Sequence, residues 1–279
     1  TTTATDNVAV GHDAFTANIT GGDNVAIGAN ALMTAESADS NTACGYQALK
    51  TNSTGHSNVA VGKNAAKLLT TGIQSTIVGS FAGDALTEGN DNIALGHDAL
   101  SGDTKGSRSV AIGSNALKTQ NFTSATNANN TAVGNFAGEG VTTGTDNTFI
   151  GLSSGDAVNT GSYNVAVGGS SLTNNTSASE NTAVGFQSGF TNVTGAGLTT
   201  LGTKAGYYST ADNNTMIGYQ AGLNVSSGAN NTFVGDSVNH VTTTGENGTF
   251  IGHLCRASGA GIDNEVVLGS NGMIGKGAS

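Results

Sequence analysis

Asn7-Val8-Ala9-Val10-Gly11-His12-Asp13-Ala14-Phe15 and Asn24-Val25-Ala26-Ile27-Gly28-Ala29-Asn30-Ala31-Leu32 are one pattern written twice, 17 residues apart. Working outward, the signature Asn-β-branched-apolar-aliphatic-Gly recurs in 16 copies, its glycines running from Gly11 to Gly269. Thirteen of the 15 intervals are 17 residues; one is 21 (Gly113 to Gly134) and one is 16 (Gly202 to Gly218). A period this strict is the mark of a solenoid, in which each repeat buries its apolar face only against its neighbours. Seventeen residues are too few for a helix pair. The residue three before each signature glycine is always β-branched, which favours strands. The expected fold is all-β: a single parallel β-roll or β-solenoid of about 16 coils spanning residues 1–279. It carries an insertion at about 118–129 and a shortened repeat at 263–279. At a strand spacing of ~4.8 Å the stack is on the order of 75 Å long.

The composition agrees. The chain has 279 residues, 43 Gly, no Pro and no Trp, and 10% charged residues. Proline would interrupt a ladder in which nearly every N–H bonds to the next coil. A helical bundle needs more Leu, Glu and Lys, and a disordered chain more charge and Pro. The net charge of −10 argues against nucleic acid. No apolar run reaches the ~20 residues of a spanning helix, so membrane insertion is not expected. No basic-then-apolar segment opens the chain, as in a processed form or an excerpt. Two cysteines make no disulfide scaffold.

Which face of each strand lies inside the coil sets the expected assembly. The residues one and three before the signature glycine share a face. They are Val, Ile, Leu, Thr and one Cys (Cys44), and this pair is expected to line the coil interior. The residue two before the glycine points the other way. It is Ala in nine copies, as at Ala9, Ala26, Ala111 and Ala132, and larger at Phe149, Met216, Phe233 and Phe250. A strand apolar on both faces is buried on both. These eight residues are therefore the expected interface between copies packed around a common axis, wider where Phe and Met replace Ala. Asn stands four before the glycine in 11 of 16 copies, which suggests an asparagine ladder along the stack. A Thr/Ser-Gly corner seven before the glycine supplies a turn.

Candidate ligand-binding residues fall where the period breaks. The long interval adds four residues that the strands cannot absorb. They are expected to bulge outward and present Asn121, Phe122 and Thr123, an aromatic ring among amides and hydroxyls that suits sugar stacking. Tyr207 and Tyr208, beside the short interval, form the second candidate.

NVAVGHDAF, NVAIGANAL, SVAIGSNAL and NTAVGNFAG resemble the YadA-like head repeats of trimeric autotransporter adhesins and the related β-roll repeats of phage tail fibres. The likeness runs from Asp6 to Ser279. It implies a left-handed β-roll, a homotrimer and an extracellular setting on a virion or bacterial surface. Its implied role is attachment to a host-surface glycan or receptor, with no enzymatic activity and no cofactor. The period and the Thr-Gly corner depart from the adhesin pattern, and no anchor barrel or stalk is present. Two other readings are a subunit of a self-assembling extracellular filament and an ice- or crystal-surface binder built on Thr corners (Thr70-Thr71, Thr142-Thr143, Thr243-Thr244).

Catalytic patterns are sparse. His12, His97 and His253 share a register but lie five and nine coils apart, so no metal set is expected. No row of paired carboxylates suggests a glycosidase or lyase. Cys44 and Cys255 read as buried small hydrophobes.

Overall fold

The computed structural model describes residues 3–238, 244–270 and 274. Thr243, and residues 271–273 and 275–279 of the shortened terminal repeat, lie outside the described residues, as does His240. The chain is a parallel β-solenoid with one three-to-five-residue strand per signature and no helix among the described residues. It divides into two compact units, Thr1–Thr145 and Asp146–Ser279, each carrying eight of these strands. Within each unit strands pair in parallel and in strict register: Val8 faces Val25, Ala9 faces Ala26, Thr148 faces Val165, Phe149 faces Ala166.

The local conformation follows from the signature glycine. Gly62 has φ +133°, and a Cβ there would lie 2.5 Å from the carbonyl oxygen of Gly79 on the next coil. Only glycine permits that approach. In most coils two β-turns follow the strand. Ala31 N–H donates to Gly28 O and Ala35 N–H to Leu32 O. The turns place left-handed residues two, four and twelve after the glycine, for example Asn30 (φ 59°), Leu32 (φ 47°) and Ser40 (φ 56°). Asn, Asp and Ser tolerate that region; leucine does so at a cost that its burial offsets.

The interior is the reverse of the expected one. The residue two before the glycine points into the chain's own coil: Ala26, Ala111, Ala132, Phe149, Met216 and Phe233 are fully enclosed and Phe250 nearly so. Ala9, on the first coil, is exposed. The pair one and three before the glycine points outward, with Val10 58% and Val266 64% exposed. Seven of the eight expected interface residues are therefore packed inside their own coil rather than on an outer face, and Ala9 alone among them is exposed. Cys44 is likewise on the outer face, half-buried, while Cys255 is buried as expected. The physical reason is volume. A 17-residue coil with tight corners encloses room for one small side chain per position, which Ala fits and a Val/Ile pair does not.

In several coils a larger residue enters where space is given up opposite. Leu32, Leu49, Leu100, Leu117 and Leu172 stand four after the glycine in coils whose strand brings Ala inward. Where the strand brings Ile77, Phe149, Thr200 or Met216, that place is Gly83, Gly155, Gly206 or Gly222. A Cβ on Gly155 would collide with the Phe149 ring, and one on Gly222 would sit 2.6 Å from Met216 Sδ. The Phe and Met residues thus fill the core. Phe233 and Phe250 stack at 5.2 Å between ring centroids and close a cluster with Met216, Val225, Val238 and Cys255.

The asparagine ladder is present, on the same inner face. Asn58 Nδ2 donates to Asn41 Oδ1 (3.2 Å) and to Gly72 O (2.8 Å), and Asn58 Oδ1 accepts from Ser75 N–H (3.0 Å). The same links join Asn24 to Asn41 and Asn147 to Asn164. These amides satisfy corner carbonyls and strand N–H groups that the turns would otherwise orphan in the core, although Asn181 Nδ2 donates to no described group.

Candidate functional site: the aromatic corner and the outer sheet face

Two surfaces stand out. The first is the outer face of the sheet. In the unit Thr1–Thr145 it exposes Val8, Val10, Ile27, Val59, Val61 and Ile93; in the unit Asp146–Ser279, Ile150, Leu201, Ile251, Val266 and Leu268. Strict register aligns these side chains in two rows, one Thr/Val/Ile and one aliphatic. Ordinary soluble surfaces scatter their apolar residues singly, whereas here they are contiguous from rung to rung.

The second surface is a corner of the unit Asp146–Ser279. Phe190 and Tyr207 occupy equivalent positions one coil apart, and the register stacks them at 4.9 Å between centroids and 9° between planes. The Tyr208 ring meets Tyr207 edge to face at 4.7 Å. Lys204 Nζ lies 5.9 Å from the Tyr207 centroid. Lys204, Tyr207, Tyr208, Gln220 and Leu223 line an open cavity of about 170 Å³. Tyr208 is half exposed. The residue missing from the short interval falls at the Thr-Gly corner, where Ala211 and Asp212 stand, so the tyrosines keep the regular turn geometry.

The insertion does not present its ring. Phe122 is only 7% exposed. Its N–H donates to Asp103 Oδ1 (3.0 Å), and its carbonyl accepts from Lys105 N–H (3.0 Å) and Thr104 Oγ1 (2.7 Å). Buried Gln120 donates to Asp103 Oδ2 (2.6 Å) and accepts from Asn130 Nδ2 (2.9 Å). Thr126–Asn127 pairs in parallel with Gly106–Ser107 as a second small sheet. The extra residues are thereby tied back into the coil. Asn121 and Thr123 remain exposed, but without an aromatic platform between them. Sequence reasoning missed the clamp because Asp103 lies one coil upstream, at an interior register that varies among Asn, Ala, Leu and Val in other coils.

Elsewhere the surface carries local ion pairs. Lys105 Nζ reaches Glu88 Oε1 at 2.9 Å, and Lys118 Nζ reaches Asp98 Oδ2 at 3.3 Å. Burial, and then the charge of Asp98, push the Asp84 carboxyl above the usual carboxylate range. His12 and His97 each sit beside the following aspartate, and His253 beside Asp236. The Thr70 and Thr87 hydroxyls donate to Thr87 O (2.8 Å) and Thr104 O (3.0 Å) on the next coil, which commits these corner hydroxyls to the stack.

Comparison with known proteins returns no matching family model, no matching curated protein and no matching solved structure.

Proposed function

We propose that the chain is a structural and binding segment of an extracellular fibre, three copies packing side by side through the outer faces of their sheets, with attachment to a host cell or surface as its role. The observation that carries this reading is the pair of outward apolar rows. Each rung except that of Cys44 adds an aliphatic residue to a stripe that no element among the described residues covers, and association removes that stripe from water. In-register parallel packing is the natural partner geometry, because every rung offers the same self-complementary surface. The signature resemblance to adhesin and tail-fibre repeats supports a trimer and an attachment role. The interface is the Val/Ile/Thr face rather than the alanine row. This reading assigns the chain no catalytic role.

A second reading follows from the same face. In the unit Asp146–Ser279, Thr182, Thr199, Thr215, Thr232 and Thr249 stand on consecutive rungs of one outer row beside an aliphatic row, with Thr148 beyond Val165, an array that suits an ice or mineral lattice. Thermal hysteresis of a chain that stays monomeric is its signature.

Cys44 supplies the experiment. It sits in the outer aliphatic row between Ile27 and Val61, whereas Cys255 is enclosed and burial raises its thiol pKa. Packing through this face covers Cys44, whereas a free chain leaves it open to thiol reagents. A maleimide dye is expected to label Cys44 slowly in the native protein and quickly once the chains are separated by denaturant. Rapid, complete labelling of Cys44 in the native protein overturns packing through this face.

A further inference from the structure

We propose that the aromatic corner formed by Lys204, Tyr207, Tyr208 and Gln220 binds a carboxylated saccharide, a sugar ring lying on the tyrosines with its carboxylate on Lys204. The inference rests on the attachment reading above and names the ligand class.

Three observations carry it. The aromatic pair is not required by the coil. The position of Tyr207, five after the glycine, is Thr16, Lys50, Lys67, Ser101 or Glu139 in other coils, and all of these fold alike. Large rings set together at a polar surface position are what sugar recognition uses, since the C–H face of a pyranose packs on an aromatic face. The charge is the second observation. Lys204 is the only Lys or Arg between Lys118 and Arg256. It makes no ion pair among the described residues, and its backbone is left-handed (φ 57°) at a place where most coils use a short polar residue. A single cation in an otherwise acidic stretch, set beside two tyrosines, selects one negative group on the ligand. The third is the remaining hydrogen-bonding capacity. Among the described residues the side-chain amide of Gln220 and the two tyrosine hydroxyls make no hydrogen bond, which leaves donors and acceptors for sugar hydroxyls. At about 170 Å³ the cavity is smaller than the ~300–1,000 Å³ of an enclosed ligand pocket, which suits one ring held at an open surface.

The acidic character of the chain does not prevent this. At physiological salt the Debye length is about 8 Å, so the contact with Lys204 dominates over distant carboxylates. In a fibre of parallel copies, equivalent corners lie at one height. A polymeric ligand then gains avidity that a monosaccharide lacks.

The test is calorimetric titration of the full chain with oligogalacturonate, its methyl ester and free galacturonic acid. Oligogalacturonate is expected to bind, the ester about tenfold more weakly, since a charge-assisted hydrogen bond is lost. Free galacturonic acid is expected to bind more weakly than the oligomer. Lys204→Gln is expected to abolish the preference for the acid over the ester, and Tyr208→Ala to weaken both by about three- to tenfold. Both side chains are on the surface, so strand circular dichroism and the state of association should match the wild type. Equal binding of acid and ester, or binding unaffected by both substitutions, overturns the inference. Absence of binding by a protein that remains associated overturns it too, and leaves the fibre reading standing.

Discussion

Ala111→Asp is expected to unfold its coils whether or not the protein associates. Ala111 pairs with Ala94 and Ala132 on the inner face and is fully enclosed. The substitution adds a carboxylate to a space sized for a methyl group. The charge finds no cation there, and leaving it unpaired costs several kcal/mol before the overpacking is counted. In a solenoid stability is a sum of coil and neighbour terms, so the damage is local. We expect lost strand circular dichroism and protease cuts near the strands Ile93–Leu95, Val110–Ile112 and Thr131–Val133. A protein that folds normally and merely dissociates would mean that the alanine row is an interface after all.

The second large effect lies in the volume exchange. Phe149→Ala empties the middle of a coil whose opposite position is Gly155, and losses of about 3–5 kcal/mol are usual for a buried Phe→Ala. Adding Gly155→Leu should recover a substantial part. Leu172 takes the equivalent place one coil later, at φ 47°, beneath Ala166, so the backbone accepts leucine there. Gly155→Leu alone should be destabilising, because its side chain meets the Phe149 ring. Thermal melts of the two single variants and the double variant give the coupling. Additive losses would contradict the exchange.

The repeat, the strand positions, the all-β class and the asparagine ladder were legible in the sequence because each depends on spacing alone. Which face is inside was not legible from hydrophobicity, since both faces of the strand are apolar. A signal was nevertheless present. The asparagine and the small residue are two apart and so share a face, and an amide ladder needs an enclosed face. The pairing of Phe149 with Gly155, and of Ala166 with Leu172, marks the same interior by volume. The clamp on Phe122 was hidden for a different reason. It depends on Asp103, a carboxylate one coil upstream whose partners are Gln120 and backbone N–H groups. The aromatic corner was half visible. Tyr207 and Tyr208 are adjacent in sequence, but Phe190, Lys204 and Gln220 join them only through the register of stacked coils.

With the interior assigned, the outer face bears the whole proposal of assembly. Val167 lies in its aliphatic row between Ile150 and Val184. A carboxylate there can reach water in an isolated chain but is buried when the faces meet, so Val167→Asp should leave the coils folded and break the association. The direct measurement is particle mass by light scattering after size-exclusion chromatography, on the wild type and on Val167→Asp. The expected result is three times 27.4 kDa for the wild type and a folded chain of 27.4 kDa for the variant. A wild type that elutes as a folded 27.4 kDa chain at micromolar concentration would contradict the assembly of a fibre through this face.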